Sequence, residues 1–349
     1  MAIEADLDED MYVKWRYACY GKSPIKKVDS RVWEWLIRTR TSGYMSRLVW
    51  GFGDEYPETA GWSFARFGQS KTVLPDGRIV YIAGEHEDSY DEDFFIYNDV
   101  VVIHLDDRID IYTYSEDVFP PTDFHSATLI DDKIVIVGRL GYDKELTVTP
   151  VYILDINDFS IQEVETVGVS PSRLHEHEAV LSADGNRISF IGGKIRVPPD
   201  RTPIENIDNW ELDVKTWSWY CRKNSQWMRW KCKREDGLRN TLWQARRTLD
   251  KHLEYHSDID YKMRALSCLY EPPVSFQPMN SQELRTHLIC IDGVVVRYSE
   301  ESYHIVVTVE GSLPTSILDI LIEDLLHKLS IVEGEIFYAK EVVLTTDEE

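Results

Sequence analysis

Phe124–Gly141 reads FHSATLIDDKIVIVGRLG, and Glu176–Lys194 repeats its pattern as EHEAVLSADGNRISFIGGK. Each is followed by a second matched stretch, VYILDINDFSIQEV at Val151–Val164 and NWELDVKTWSWYC at Asn209–Cys221. Setting Ala127 on Ala179 brings an alternating strand, a short turn, an apolar strand and a glycine into register. A looser copy precedes them, FGQSKTVLPDGRIVYIAGE at Phe67–Glu85 followed by YNDVVVIHLDDRIDIYTY at Tyr97–Tyr114. Gly84, Gly138 and Gly192 then close equivalent strands with a period of about 54 residues. A unit of four short strands cannot bury its apolar face alone, so its copies must stack on one another.

The fold class expected from this period is mainly β: a propeller or partial propeller of four-stranded blades, with a helical N-terminal segment and a small C-terminal α+β lobe. The chain divides into five stretches. Residues 1–10 hold five carboxylates and are expected to be flexible. Residues 11–60 are an aromatic-rich helical lead-in, in which Val32, Trp35 and Leu36 follow helical spacing and Asp29 or Ser30 supplies a cap. Its tryptophans are expected in the core. Residues 61–222 are the repeat region. Residues 223–280 are a basic connector without strand alternation, helical from Leu238 along Leu242, Ala245, Leu249 and Leu253. Residues 281–349 form a β-β-β-α-β lobe, with Asp292-Gly293 as its hairpin turn and Pro314 in the first turn of its helix.

The repeats resemble kelch units. The carrying residues are His125-Ser126-Ala127 and His177-Glu178-Ala179 in the first strand, and Gly138 and Gly192-Gly193 after the second. The steps Leu105-Asp106, Leu154-Asp155 and Leu212-Asp213 stand in the third strand, and Trp217 marks the fourth. The glycine doublet is complete only in the last copy; the others read Ala83-Gly84 and Gly138-Arg139. The resemblance covers roughly Trp62–Cys221. It implies a protein-binding role in most cases, and a sugar-acting enzyme, oxidase-like or mutarotase-like, in a minority. Only three copies are visible, whereas closed propellers need at least four.

Catalytic motifs are missing: there is no GxSxG, HExxH, P-loop or dinucleotide fingerprint. Five scattered cysteines form no CxxC pair, which argues against a zinc site or a disulfide framework and favours a reducing cytoplasm. The N-terminus lacks the apolar core of a secretory signal. No cofactor is expected. The formal charge of −23 opposes nucleic acid and favours a basic protein partner, which a large field steers.

The acidic stretch between the second and third strands of the first repeat carries Glu85, Glu87, Asp88, Asp91, Glu92, Asp93 and Asp99. It is the expected partner-binding surface, with a solvated loop as the plain alternative and a cation site as a further one. His175 and His177, two apart in a strand, would share a face and a metal ion; a structural role for His177 at its repeat position competes with this. The segment Arg222–Lys251 mixes arginines and lysines with Trp227, Trp230 and Trp243. It either binds single-stranded nucleic acid or neutralises acidic neighbours. The sequence therefore points to a non-catalytic, cytoplasmic interaction module, with an immunity or inhibitor protein as its specific form and a mutarotase-like enzyme as the rival.

Overall fold

The computed structural model describes residues 7–53, 59–87, 94–142, 147–196, 203–222, 227–255, 260–281 and 285–342. The chain forms two compact units, Met1–Lys223 and Asn224–Glu349.

The first unit opens with α1 (Glu9–Trp15), capped by the Asp8 carboxylate on the Met11 amide. The acids at its start thus belong to a helix, where they favour the positive end of its dipole. After β1 (Lys26–Val28) come α2 (Arg31–Thr39) and α3 (Gly43–Val49), each held by a serine N-cap, Ser30 and Ser42. The predicted stripe of α2 is buried, together with Trp33, which stacks on Trp62 at 4.7 Å. These helices share one core with Val101, Ile109 and Ile111 of the first repeat.

That repeat comprises β2 (Ser70–Val73), β3 (Ile79–Ile82), the two-residue ribbon of β4 (Glu85–His86) and β5 (Phe95–Ile96), then β6 (Val100–Ile103) and β7 (Ile109–Thr113). Its sheet runs β1-β7-β6-β3-β2, the N-terminal strand adding an unforeseen fifth member. The second repeat comprises β8 (Ser126–Ile130), β9 (Lys133–Val137), β10 (Val151–Asp155) and β11 (Ile161–Glu163), a four-stranded antiparallel meander. In the third, β12 (Glu178–Leu181), β13 (Arg187–Ile191), β16 (Asn209–Asp213) and β17 (Ser218–Arg222) repeat that order, with β14 (Lys194–Ile195) and β15 (Ile204–Glu205) as a side ribbon. The first strands neighbour one another, β2 beside β8 and β8 beside β12. Among the described residues, none of the sheets closes on itself.

Two details correct the sequence alignment. Directly after the second strand of each repeat stands a left-handed residue: Ala83 (φ 52°), Gly138 (φ 79°) and Gly192 (φ 63°). Ala83, not Gly84, is therefore the equivalent of Gly138 and Gly192, in keeping with the Ala83-Gly84 doublet and despite the Cβ strain that glycine avoids there. Leu154 and Leu212 are buried at the ends of third strands, but Leu105 is 80% exposed in a turn. The Leu105-Asp106 step is thus not equivalent to the other two. All three aspartates nevertheless accept backbone N–H groups in the turn that follows, Asp106 from Arg108, Asp155 from Asn157, and Asp213 from Lys215 and Thr216.

The second unit is built on one six-stranded sheet, in the order β19 (Gln277–Met279), β20 (Thr286–Ile291), β21 (Val294–Glu300), β22 (His304–Glu310), β18 (Trp227–Arg234) and β23 (Phe337–Glu341). Its first strand, β18 (Trp227–Arg234), overturns the expectation of a strandless connector. Met228, Trp230 and Cys232 face the hydrophobic core, while Arg229 and Lys231 alternate with them and are also buried. The period of two is present; the basic residues between the aromatics mask it. Then come α4 (Leu242–Tyr255), α5 (Tyr261–Ser267), β19 (Gln277–Met279), β20 (Thr286–Ile291), β21 (Val294–Glu300), β22 (His304–Glu310), α6 (Thr315–Glu333) and β23 (Phe337–Glu341). The last five match the expected β-β-β-α-β order. Leu242 and Leu249 join the core as the stripe implied, whereas Leu238 precedes the helix and is exposed. Among the described residues, no helix is long and apolar enough to cross a membrane.

Candidate functional site: a carboxylate pair at the repeat edge

The repeats are joined by a recurring contact. Gly68, Phe124 and Glu176 are all left-handed, and each precedes the start of a first strand by two residues. The Phe124 amide donates to the Gly68 carbonyl at 3.0 Å, and the Glu176 amide to the Phe124 carbonyl at 2.9 Å. One residue later, His125 Nε2 meets Ser70 Oγ at 2.8 Å and His177 Nε2 meets Ser126 Oγ at 2.9 Å. Burial pushes both imidazoles down, to about 4 for His125 and about 3 for His177, so both are neutral at pH 7.

His177 is therefore a spacer between repeats. His175 is buried, and its Nδ1–H donates to the Arg173 carbonyl at 3.0 Å. The left-handed Glu176 between them interrupts the extended backbone, so the alternation that would set both rings on one face does not operate. Among the described residues, no group of three or more His, Cys, Asp or Glu side chains is arranged to hold a metal ion. All five cysteines are free thiols.

The acidic stretch divides. Asp88, Asp91, Glu92 and Asp93 lie outside the described residues. Asp99 is buried, and its carboxylate is taken up by the Arg66 guanidinium and by Trp62 Nε1 at 2.9 Å. Arg66 in turn lies 3.4 Å from the Tyr97 ring centroid. Asp99 is thus an internal counter-ion and presents nothing to a partner. Glu87 is exposed, and Glu85 is half-buried in β4, its backbone paired with Phe67 through two 2.8 Å hydrogen bonds.

The residue that sequence reasoning missed is Asp123. It sits just before His125, where the second repeat begins, and has no solvent exposure. Its Oδ1 accepts the Gly141 amide at 2.6 Å, while Oδ2 has no hydrogen-bond partner among the described residues. Glu85 faces it. Burial first, then the proximity of Asp123, and then the charges of Glu87 and Glu176 push Glu85 up to about 7. Asp123 is also raised, by burial, against the pull of the Gly141 amide.

Among the described residues, Arg139 offsets part of the charge at Asp123, and the other nearby cations are engaged elsewhere. Arg139 Nη1 donates to the Pro121 carbonyl at 3.1 Å, and Arg173 Nη2 to the carbonyls of Leu140 and Gly141. Lys194 pairs with Glu176 at 2.8 Å. The result is a carboxylate pair that holds a proton near neutrality, at the edge where the strand-connecting segments of successive repeats converge. Such a pair can receive a cation or move a proton. A lone aspartate before a histidine carries no sequence signal of this; only the stacking of repeats brings Asp123 to Glu85. No protein-family model matches the chain, and no curated protein is significantly similar to it.

Proposed function

We propose that the first unit is a partial, kelch-type propeller that recognises a basic protein partner, with the Glu85–Asp123 pair receiving a lysine or arginine side chain. The observation that carries this reading is the placement of Glu85 against the fully buried Asp123 carboxyl, where burial and like charge drive it up to about 7. A cation brought by a partner relieves that repulsion, so binding deprotonates Glu85 and strengthens as pH rises through 7. The chain's charge of −23 speeds the encounter at low salt. An inhibitor of a basic toxin is one form such a module takes.

The test is capture of partners from native lysate by the full chain, at low and high salt, beside Glu85→Gln. A stoichiometric basic protein, weakened by salt and by the substitution, supports the proposal. Retention indifferent to both overturns it.

A second reading rests on the same pair. A carboxyl poised near 7 beside a second carboxylate is the arrangement of a general acid in sugar chemistry, as the mutarotase-like alternative requires. Turnover of a sugar, lost in Glu85→Gln with no basic protein captured, would replace the first reading with this one.

A further inference from the structure

The second unit contains a groove of about 350 Å³, within the size range of small-molecule sites. Its lining includes Arg239, Trp243, Arg285, Glu300, Glu301 and Ser302. The Glu300 carboxylate is already engaged: Tyr270 donates to it at 2.7 Å, Arg246 forms an ion pair with it, and His287 Nε2 lies 3.6 Å away. It therefore adds little negative field to the groove. Arg239 Nη2 donates to Ser302 Oγ at 3.1 Å and packs over the Tyr303 ring.

Arg285 differs. It is exposed, its backbone is left-handed at φ 60°, and its guanidinium makes no hydrogen bond or ion pair among the described residues. A bulky residue in that conformation is strained, and such strain gathers at ligand sites. Trp243, in the first turn of α4, is 55% exposed, with Arg247 4.9 Å from its ring centroid. An exposed indole and an exposed guanidinium line the same groove, in a chain whose net charge of −23 otherwise repels anions.

We infer that this groove binds a small phosphate-bearing ring compound of the nucleoside monophosphate class, with the ring against Trp243 and the phosphate on Arg285, Arg239 beside it. The guanidinium fork matches phosphate oxygens in pairs, and the indole face stacks on a base. The site is independent of the carboxylate pair in the first unit.

The experiment is calorimetric titration of the full chain with adenosine monophosphate, with adenosine and inorganic phosphate as separate arms. Saturable binding with Kd below about 1 mM is expected, weakened about tenfold or more by Arg285→Ala and by Trp243→Ala, with Trp243→Phe retaining most of it. Each half-ligand should bind more weakly than the whole. Both substituted side chains are on the surface, and circular dichroism verifies that the variants keep the fold. No saturation by about 10 mM, equal affinity for inorganic phosphate alone, or indifference to Arg285→Ala overturns the inference.

Discussion

The second and third repeats share one strand order and differ in what covers them. In the second, Ile134, Val135, Ile136 and Val137 of β9 are buried in succession, as are Val151 through Leu154 of β10. Both faces of that sheet are covered, and one of them joins the first repeat through Val80, Ile82, Val100 and Val102. In the third, Ile188 and Phe190 are buried, while Val180, Ile191 and Tyr220 are each about half exposed. The outer face also carries Arg187 and Arg222, both paired with Glu211. A run of consecutive apolar residues marks a sheet between neighbours, and alternation marks a sheet with one open face. The helices α2 and α3 cover the first repeat, so the array has a capped beginning and a solvated last sheet. End repeats of stacked arrays need a polar outer face, and the third has acquired one.

Two substitution pairs sharpen this contrast. Ile136→Ala, in the doubly covered sheet, is expected to cost about 2–5 kcal/mol, and Val180→Ala, on the open face, no more than about 0.5 kcal/mol. Urea unfolding of the full chain followed by tryptophan fluorescence measures both; similar losses would mean that the third sheet is also covered in solution. The glycines make the second pair. A Cβ at Gly138 runs into the Leu174 carbonyl oxygen, whereas at Gly192 it meets open space. Gly138→Ala is therefore expected to cost about 3 kcal/mol, from overpacking added to left-handed strain. Gly192→Ala carries the strain alone, about 1–2 kcal/mol. Equal costs would show that the contact at Gly138 relaxes without penalty.

What the sequence reveals of this architecture follows from how local each cause is. The strand order of the repeats, a cap at Asp29 or Ser30 and the C-terminal order were legible, because alternation, capping and turn chemistry act over a few residues. The strand at Trp227–Arg234 was not, because its second face buries Arg229 and Lys231, residue types read by default as solvated. Of the candidate site, Glu85 was legible as a member of an acidic stretch. Its partner was not: Asp123 lies far along the chain, and stacking alone makes them neighbours. Asp99 belongs to the same acidic run, yet Arg66 and Trp62 draw it into the interior. Spacing along a loop does not say which carboxylates turn inward.

The contacts between repeats also titrate, with a sign opposite to that of the site. His125 and His177 have folded values of about 4 and about 3, below the ordinary 6.5. Below pH 6.5 the unfolded chain binds protons that the folded one refuses, so their contribution is complete above 6.5 and is lost as pH falls toward 4 and then 3. The variant carrying both His125→Gln and His177→Gln should show a shallower loss of urea resistance between pH 6.5 and 4. An unchanged slope would mean that these rings are charged or solvated in the native state.

Glu85 supplies the smallest and most diagnostic effect. Its folded value of about 7 exceeds the ordinary 4.5, so its contribution is complete below 4.5 and is lost as pH rises through 7. As pH rises toward neutrality the contribution of the histidines grows while that of Glu85 falls, and wild-type stability near pH 6 is the resultant of the two. Glu85→Gln removes only the falling part. The variant should match wild type near pH 4 and exceed it at pH 8, by less than about 1 kcal/mol because the side chain is partly solvated. High salt should shrink the gain, since screening weakens the repulsion from Glu87 and Glu176. A gain of the same size at pH 4 would mean that the carboxyl is misfit in shape and not in charge, and the cation-receiving role would lose its physical basis. A gain confined to high pH, together with the steeper acid loss set by the histidines, would separate the contacts that hold the repeats together from the charge held ready at their edge.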